Sequence, residues 1–268
     1  MQISVNGHTT YAYTGGKDFN PAQPTVVLIH GVLCDHSVWA LQSRYLAHHG
    51  WNVLAIDLPG HCKSAGPPPA SVPAAAAFIQ ALLDAQGVQQ AALVGHSFGS
   101  LIALQAAANL GQRITHLVMV GTAYPMKVSP ALLDAALNQP EKALHMTNVF
   151  SRATLAPPSG AGTWVFGASL ALGRRVLASN PEVNLFHTGF KACHDYEQGL
   201  QAMTDVTCPV MMVLGVNDQM TTPKNAQPLV AQALDKGIAL EVVMIPNGHH
   251  QMSESPDETL DAIKRFLA

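Results

Sequence analysis

The stretch AALVGHSFGSLIAL, residues 91–104, places a serine between two glycines. The apolar run before Ser97 is typical of a buried strand, and the alanine-rich run after it is typical of a helix. A sharp turn between the two would hold the serine hydroxyl clear of the sheet. Gly95 and Gly99 suit such a turn because, without a Cβ, they tolerate close backbone contacts. We therefore predict that Ser97 is a nucleophile, the alternative being a polar residue in an ordinary tight turn.

Continuous apolar runs that end at Gly, Asp or Pro recur along the chain and alternate with stretches of helical length. These runs are residues 25–31, 52–57, 91–97, 116–121, 209–215 and 240–246. Such runs are typical of strands that are buried on both faces of a parallel sheet. The opening residues instead indicate an antiparallel hairpin with Asn6 and Gly7 as its turn. The order predicts an α/β fold, a doubly wound, mostly parallel sheet with helices on both faces.

Residues 122–205 interrupt the alternation. They contain no convincing β run, while leucines recur at helical spacing in two places, Leu132 to Leu137 and Leu170 to Leu177. We interpret this stretch as a helical cap inserted after the sixth strand. The predicted domains are therefore a core of residues 1–121 and 206–268 and a cap of residues 122–205.

Composition limits the partners that this chain is expected to have. Hydrophobic residues make up 48% of the 268 residues and charged residues 12%, with a formal net charge of −3. Without a basic run, neither nucleic acid nor a membrane surface is an expected partner, so a small molecule is favoured. No signal peptide or spanning segment is recognisable, and four scattered cysteines lack any C-x-x-C spacing. We expect a cytoplasmic protein with free thiols; its oligomeric state stays open, with a homodimer as one option.

Polar residues follow several of the predicted strands. Ligands and catalytic groups collect at the carboxyl ends of parallel strands, where this chain has His30, Asp57, Ser97, Asp218 and His249. A serine, a histidine and an aspartate supply a nucleophile, a base and a group that orients the base. Asp57 is a rival acid, although its D-L-P-G setting favours a structural role in a turn.

The histidine that would act as base has a neighbour of the same type, so His250 competes with His249 for the role. No phosphate-binding or dinucleotide-binding glycine motif is present, and neither His30 nor His96 has a carboxylate or a second histidine at metal-ligand spacing. We therefore expect neither a cofactor nor a metal.

The motifs taken together resemble those of the α/β-hydrolases over nearly the whole chain. The matching stretches are His30-Gly31, DLPGHCKS at 57–64, GHSFG at 95–99, GVND at 215–218 with Thr222-Pro223, and GHHQMSESP at 248–256. The order Ser, Asp, His along the chain is also that of the family. Two positions depart from the family pattern, because Cys62 and Ser100 stand where glycines are common. Both replacements are small, so we expect them to change local loop shape rather than the chemistry.

The resemblance implies a role for each site residue. Ser97 attacks a carbonyl, His249 moves the proton and Asp218 fixes the imidazole; the G-H and E-x-P matches favour His249 over His250. It also implies an oxyanion hole formed by the backbone N–H groups of Val32 and Phe98, with Leu33 as a less favoured second donor. The residues expected to line the substrate pocket are Leu33, Met126, Phe150, Trp164, Phe166 and His250.

Three functions are compatible with these features. The favoured one is hydrolysis of a carboxylic ester or lactone of a small, largely apolar substrate through an acyl-enzyme at Ser97. A second is the carbon–carbon bond hydrolysis of meta-cleavage enzymes within the same family, with Arg152 as the group that would bind a substrate carboxylate. The third is a ligand-binding module without turnover on a hydrolase scaffold.

Overall fold

The computed structural model describes residues 1–153 and 165–268 of the chain. Its centre is one sheet of eight strands in the order β1-β2-β4-β3-β5-β6-β7-β8. Only the β1–β2 and β2–β4 pairs are antiparallel, and the remaining neighbours are parallel. The strands are β1 Gln2–Val5, β2 His8–Tyr13, β3 Thr25–Ile29, β4 Asn52–Ile56, β5 Ala91–His96, β6 Ile114–Val120, β7 Val210–Gly215 and β8 Leu240–Ile245.

All six predicted parallel strands are confirmed, and β6 begins at Ile114, two residues before the predicted run. The predicted hairpin is also confirmed. Val5 pairs with His8 across the two-residue turn, in which Asn6 and Gly7 have φ of 52° and 80°. Positive φ at both positions is what a two-residue hairpin turn of the right twist requires, and Asn followed by Gly adopts it readily.

Eleven α-helices lie in the described part of the chain. They are α1 Ala40–His48, α2 Val72–Ala85, α3 Phe98–Leu110, α4 Pro130–Asn138, α5 Pro140–Ser151, α6 Val165–Ala178, α7 Leu185–His194, α8 Gly199–Asp205, α9 Pro223–Asp235, α10 Gln251–Glu254 and α11 Pro256–Leu267. Four of them, α4, α5, α9 and α11, begin with proline, which lacks the N–H that a first helical turn leaves unpaired. None of the described helices is long and apolar enough to cross a membrane.

Apolar side chains cover both faces of the sheet. Helices α2, α3 and α9 pack on one face, in the cluster that contains Leu93 and Met212, and α1 and α11 pack on the other, with Val94 and Val213. Each strand thus sends alternate side chains into two cores. Burial of a leucine or valine side chain stabilises the fold by about 1.5–3 kcal/mol, so these two layers hold the strand ends rigidly in place.

Five helices, α4 to α8, lie between β6 and β7, which confirms an insertion after the sixth strand. Helices α4 to α7 share a separate apolar cluster that includes Leu144 and Phe186, and Leu33 joins it from the core. Helix α8 packs on α3 and α9 instead, and next to it the Tyr196 hydroxyl donates to Gln105 Oε1 at 2.9 Å. The part of the insertion that covers the strand ends is therefore α4 to α7.

Candidate active site

Ser97 lies at the turn between β5 and α3 with φ 53° and ψ −118°, a backbone conformation that residues other than glycine rarely adopt. A Cβ on Gly95 would lie 2.0 Å from the carbonyl oxygen of Gly99, and one on Gly99 would lie 2.4 Å from that of Ile29. No side chain fits at either position. The predicted strand-to-helix turn is thus confirmed, with the backbone contacts that demand its glycines.

The His30-Gly31 loop packs directly on this turn. A Cβ on Gly31 would lie 3.2 Å from the Cβ of Ser97, and Leu33, two residues later, has a positive φ of 54°. Val32 lies between them and lines the cavity in front of Ser97. The first N–H groups of α3, including that of Phe98, have no acceptor within the helix. Val32 therefore lies at the cavity and Phe98 directly follows Ser97, and their roles as oxyanion donors stay a prediction.

Asp218 and His249 meet across the ends of β7 and β8. His249 Nδ1 lies 2.8 Å from Asp218 Oδ2, and both residues are buried. Thr221 completes the arrangement, because its hydroxyl donates to Asp218 Oδ2 at 2.7 Å and its oxygen lies 3.0 Å from His249 Nδ1. The other carboxylate oxygen, Oδ1, accepts the backbone N–H groups of Met220 and Thr221, each at 2.8 Å. The carboxylate is therefore fully hydrogen-bonded.

These contacts decide the charge of Asp218. Burial raises the pKa of the carboxyl, but His249 and the donors from Thr221 outweigh burial and hold the pKa below its usual value. An ionised Asp218 accepts a hydrogen bond from Nδ1–H and so fixes the imidazole tautomer in which Nε2 carries a lone pair.

His96 connects the serine turn to the histidine loop. Its Nε2 donates to the carbonyl oxygen of His249 at 2.8 Å, and its ring centroid is 4.8 Å from that of His249. Burial lowers the pKa of His96 to about 3, and the nearby His249 adds to this effect, so the ring is neutral. His96 therefore holds the loop of His249 against the serine turn through a backbone hydrogen bond.

The end of helix α5 packs on the loop that carries His249. The backbone N–H of His249 donates to the carbonyl oxygen of Ser151 at 2.7 Å. A Cβ on Gly248 would lie 2.5 Å from that same oxygen, so the glycine permits this approach. The cap is thereby hydrogen-bonded to the backbone of the candidate base.

Arg152 reinforces this junction. Its guanidinium lies 3.7 Å from Glu254 Oε1 and donates to the Ser169 hydroxyl of α6, and its side chain is 2% exposed. Glu254 Oε2 accepts the backbone N–H groups of Gly248 and Ala153 at 3.3 and 3.0 Å. The charge of Arg152 is thus compensated inside the protein. Arg152 is therefore not the free cation that binding of a substrate carboxylate requires.

A cavity with two lobes opens in front of Ser97. The small lobe, about 70 Å³, extends between α5, α6 and the His30-Gly31 loop, and the large lobe, about 270 Å³, extends toward α4. Both lobes are lined by Val32, Ser97, Phe190, Met220 and His249. A substrate that reaches Ser97 can therefore place one arm in each lobe.

The predicted pocket residues divide between the lobes. Leu33 and His250 line the small lobe, and Met126 and Phe150 line the large one. Phe166 lines neither; it packs on the apolar cluster of the cap, with its ring 6.3 Å from that of His145. The remaining residue, Trp164, lies outside the described residues. Thr221 was not identified as a site residue from the sequence. The only sequence feature that points to it is its position three residues after Asp218.

The other strand-end residues have structural roles. Asp57 Oδ1 accepts from the backbone N–H and from Nδ1 of His36, at 2.9 and 2.7 Å, and Oδ2 accepts from the backbone of Lys63 at 3.1 Å. His30 is held between the Gly31 carbonyl and the Leu58 N–H, at 2.8 and 3.1 Å. Asp57 is therefore a loop-forming residue, as its D-L-P-G setting indicates.

Asp35, His36 and Asp57 form the only group in the described ranges whose ligand atoms converge as a metal would require, all within 4.8 Å. Arg175 already occupies Asp35 Oδ2 at 2.6 Å, and the Ser37 N–H and hydroxyl occupy Oδ1. Arg175 thus pairs with the charge of Asp35, protein groups hydrogen-bond both carboxylates, and the cluster ties the loop after β3 to α6.

Cys34 lies buried in the small lobe, and burial raises the pKa of its thiol to about 12. It stays protonated at neutral pH and offers no rival nucleophile. Cys62 has a φ of 45°, in the left-handed region that glycine adopts most readily. Ser100 donates to the Ser97 carbonyl at 2.5 Å and lies 2.9 Å from the Thr122 hydroxyl, so it too fits without disturbing the turn.

Comparison with known proteins agrees with this geometry. The family model described as the alpha/beta hydrolase fold matches residues 24–256, and the chain belongs to that family. It is 26% identical over 97% of its length to an uncharacterized protein of Mycobacterium bovis, 80% of which is covered.

Two solved structures share the fold over almost their entire length. An enol-lactonase from Burkholderia xenovorans LB400 has a TM-score of 0.81 at 20% identity, covering 100% of this chain and 99% of the other. An esterase from Exiguobacterium antarcticum has a TM-score of 0.83 at 16% identity, covering 99% and 98%.

Proposed function

We propose that this protein is a serine hydrolase that cleaves a carboxylic ester or lactone of a small substrate. One observation carries the proposal: Ser97 and His249 line both lobes of the same cavity, while a buried Asp218 holds His249 Nδ1 at 2.8 Å. A nucleophile and its base must reach the same space, and an acid must hold the base in one orientation.

The proposed reaction begins with attack by Ser97 Oγ on the substrate carbonyl carbon. His249 Nε2 takes the hydroxyl proton as the new Oγ–C bond forms, and the ionised Asp218 stabilises the imidazolium. The N–H groups of Val32 and Phe98 donate to the oxyanion, assisted by the positive end of the α3 dipole. Collapse breaks the bond from the acyl carbon to the ester oxygen, and His249 returns the proton to the departing alkoxide.

The second half of the reaction repeats these roles with water. Water attacks the acyl carbon and His249 accepts its proton. The Ser97 Oγ–C bond then breaks to release the acid, and His249 returns the proton to Ser97 Oγ, which regenerates the hydroxyl. With a lactone the alcohol stays attached to the acyl group, so a single hydroxy acid leaves. No step uses a cofactor or a metal.

The character of the cavity and the solved relatives support an ester or lactone. The large lobe is lined by Met126, Leu132, Met146 and Phe150, which suit an apolar arm. An enol-lactonase and an esterase share the fold. Carbon–carbon bond hydrolysis is less well supported, because Glu254 compensates the charge of Arg152. The substrate that we propose is a small molecule. The four free cysteines fit a reducing compartment, and we propose the cytoplasm.

The test is steady-state hydrolysis of p-nitrophenyl acetate, butyrate and octanoate by four proteins. We expect wild type to turn over, His249→Gln and Asp218→Asn to lose roughly 10³-fold or more in kcat, and His250→Gln to keep at least about a tenth of it. Loss in His250→Gln with retention in His249→Gln would reverse the assignment of the base. A folded wild type that turns over none of these esters would favour the ligand-binding alternative.

A further inference from the structure

We propose, on the basis of the serine hydrolase function above, that the small lobe binds a hydroxyl group of the substrate, so that the preferred substrates are esters or lactones with a short hydroxylated arm. Two polar residues line one side of this lobe, the buried Asn148 of α5 and the partly exposed Ser169 of α6, and together they form its polar wall; the other lining residues are mainly apolar.

Asn148 is the central group of this wall. The residue is 5% exposed, its Nδ2 donates to the carbonyl oxygen of Leu144 at 2.9 Å, and its Oδ1 is buried without a partner in the described structure. The amide orientation is fixed because only the NH₂ end can face a carbonyl oxygen. Oδ1 is therefore an acceptor that a ligand in the lobe can satisfy with an O–H or N–H donor.

Ser169 supplies the complementary donor. Its oxygen accepts from the guanidinium of Arg152, so its hydroxyl proton is free to point elsewhere, and the residue lines the small lobe. The positive charge behind it polarises the hydroxyl and strengthens it as a donor. One acceptor and one donor on the same lobe match a hydroxyl group, which both donates and accepts.

Size and charge narrow the choice of ligand. A volume of about 70 Å³ admits a group of only a few heavy atoms. A carboxylate would bring a second negative charge toward a guanidinium already paired with Glu254, and it has no proton for Asn148 Oδ1. A neutral hydroxylated arm satisfies both wall groups, while the large lobe takes the apolar arm.

Asn148 thus acts as a specificity-determining residue. An apolar arm in the small lobe would displace water and leave Oδ1 unpaired, and sites built to hydrogen-bond a hydroxyl discriminate strongly against analogues that lack it. We expect a preference of at least about tenfold in kcat/KM for the hydroxylated partner of a matched pair.

The experiment compares ethyl butyrate with ethyl 3-hydroxybutyrate and with 2-hydroxyethyl butyrate, which carry the hydroxyl on the acyl arm and on the alcohol arm. Wild type should prefer one of the two hydroxylated esters at least tenfold. Asn148→Leu should abolish that preference while still hydrolysing ethyl butyrate. The control is Thr147→Val in the same lobe, whose hydroxyl already donates to backbone carbonyls of its own helix, and it should keep the preference.

Measuring the binding of the esters without their hydrolysis tests the hydroxyl subsite separately from the hydrolase function. Ligand-observed NMR on Ser97→Ala protein gives Kd for each ester without turnover. Hydrolysis by wild type with no preference, or the same preference in Asn148→Leu, overturns the hydroxyl subsite alone. A different outcome is that a hydroxylated ester binds selectively, that Asn148→Leu loses this binding, and that wild type hydrolyses none of the esters. That outcome overturns the hydrolase function and supports the hydroxyl subsite.

Discussion

The serine turn and the cap build the same cavity by different means. At the turn, backbone atoms approach so closely that Gly95 and Gly99 cannot carry a side chain, and Ser97 is held at positive φ. In the cap, side chains of α4 to α7 pack on one another and shape the two lobes. The chemistry thus depends on rigid backbone geometry, whereas selectivity depends on side chains that can be exchanged.

The two regions are joined at one place. The Ser151 carbonyl accepts the His249 N–H, and the Arg152–Glu254 pair lies beside this bond. Changes at the turn should therefore affect folding, changes at the junction should affect both stability and the base, and changes in the lobes should affect substrate choice. The following predictions test this order.

Gly95→Ala should cause the largest loss of stability. Its Cβ would lie 2.0 Å from the Gly99 carbonyl oxygen, whereas Gly237, with φ 67°, has nothing within 4 Å of such a Cβ. We expect Gly95→Ala to lower the free energy of unfolding by more than about 4 kcal/mol, and Gly237→Ala by roughly 1 kcal/mol from backbone strain alone. Urea denaturation measures both, and equal costs would show that the turn is not tightly packed.

Glu254→Gln should have the next largest effect. It leaves the buried guanidinium of Arg152 without its counter-charge, which costs about 3 kcal/mol in comparable buried pairs. Adding Arg152→Met should restore part of the loss, because no uncompensated charge then remains. Urea denaturation of the single and double variants gives the coupling, and strict additivity would contradict a working ion pair.

The histidines His61 and His96 should make stability depend on pH. Burial lowers their pKa values to about 4 and about 3, from 6.5 when exposed. Below pH 6.5 the unfolded chain therefore binds protons that the folded chain excludes, and the free energy of unfolding falls as pH falls toward 4. At pH 5 each histidine should cost about 2 kcal/mol.

His61→Gln tests this dependence. It should reduce the loss of stability between pH 7.5 and pH 5 by about 2 kcal/mol, as measured by urea denaturation at both values. If the variant and wild type lose the same amount, burial does not hold His61 neutral.

Phe150→Ala should have the smallest effect and should act on selectivity. Phe150 and Leu137 are both exposed cap residues, at 44% and 51%, but only Phe150 lines the large lobe. We expect Phe150→Ala to lower kcat/KM for p-nitrophenyl octanoate about tenfold relative to acetate, through lost apolar contact. Leu137→Ala should leave the octanoate-to-acetate ratio as in wild type, and a shift of the same size in both variants would contradict the position of the lobe.

The sequence predicts the turn well because its features are local. The G-x-S-x-G spacing, a flanking strand and a flanking helix indicate the positive φ at Ser97, and five short motifs indicate which strand ends meet. Thr221 escapes this reasoning because its bond to His249 joins residues 28 apart in sequence. Phe166 is apolar on an amphipathic helix, a pattern that does not distinguish a residue facing the cavity from one facing the cap cluster.

The sequence does not predict the polar wall of the small lobe either. Asparagine and serine are common on helix surfaces, and only the packing of α5 against α6 brings Asn148 and Ser169 to the lobe in front of Ser97. Arg152 is identifiable as a cation near the site, but the carboxylate that compensates it lies 102 residues further along the chain. Contacts between inserted helices thus limit sequence-based prediction of substrate.

The most direct test of the central claim is intact-protein mass spectrometry after exposure to a fluorophosphonate, followed by peptide mapping. Wild type should gain one adduct on Ser97, Ser97→Ala should gain none, and His249→Gln should react at least roughly 100-fold more slowly. A folded wild type that stays unmodified, or an adduct that persists in Ser97→Ala, would contradict Ser97 as the activated nucleophile.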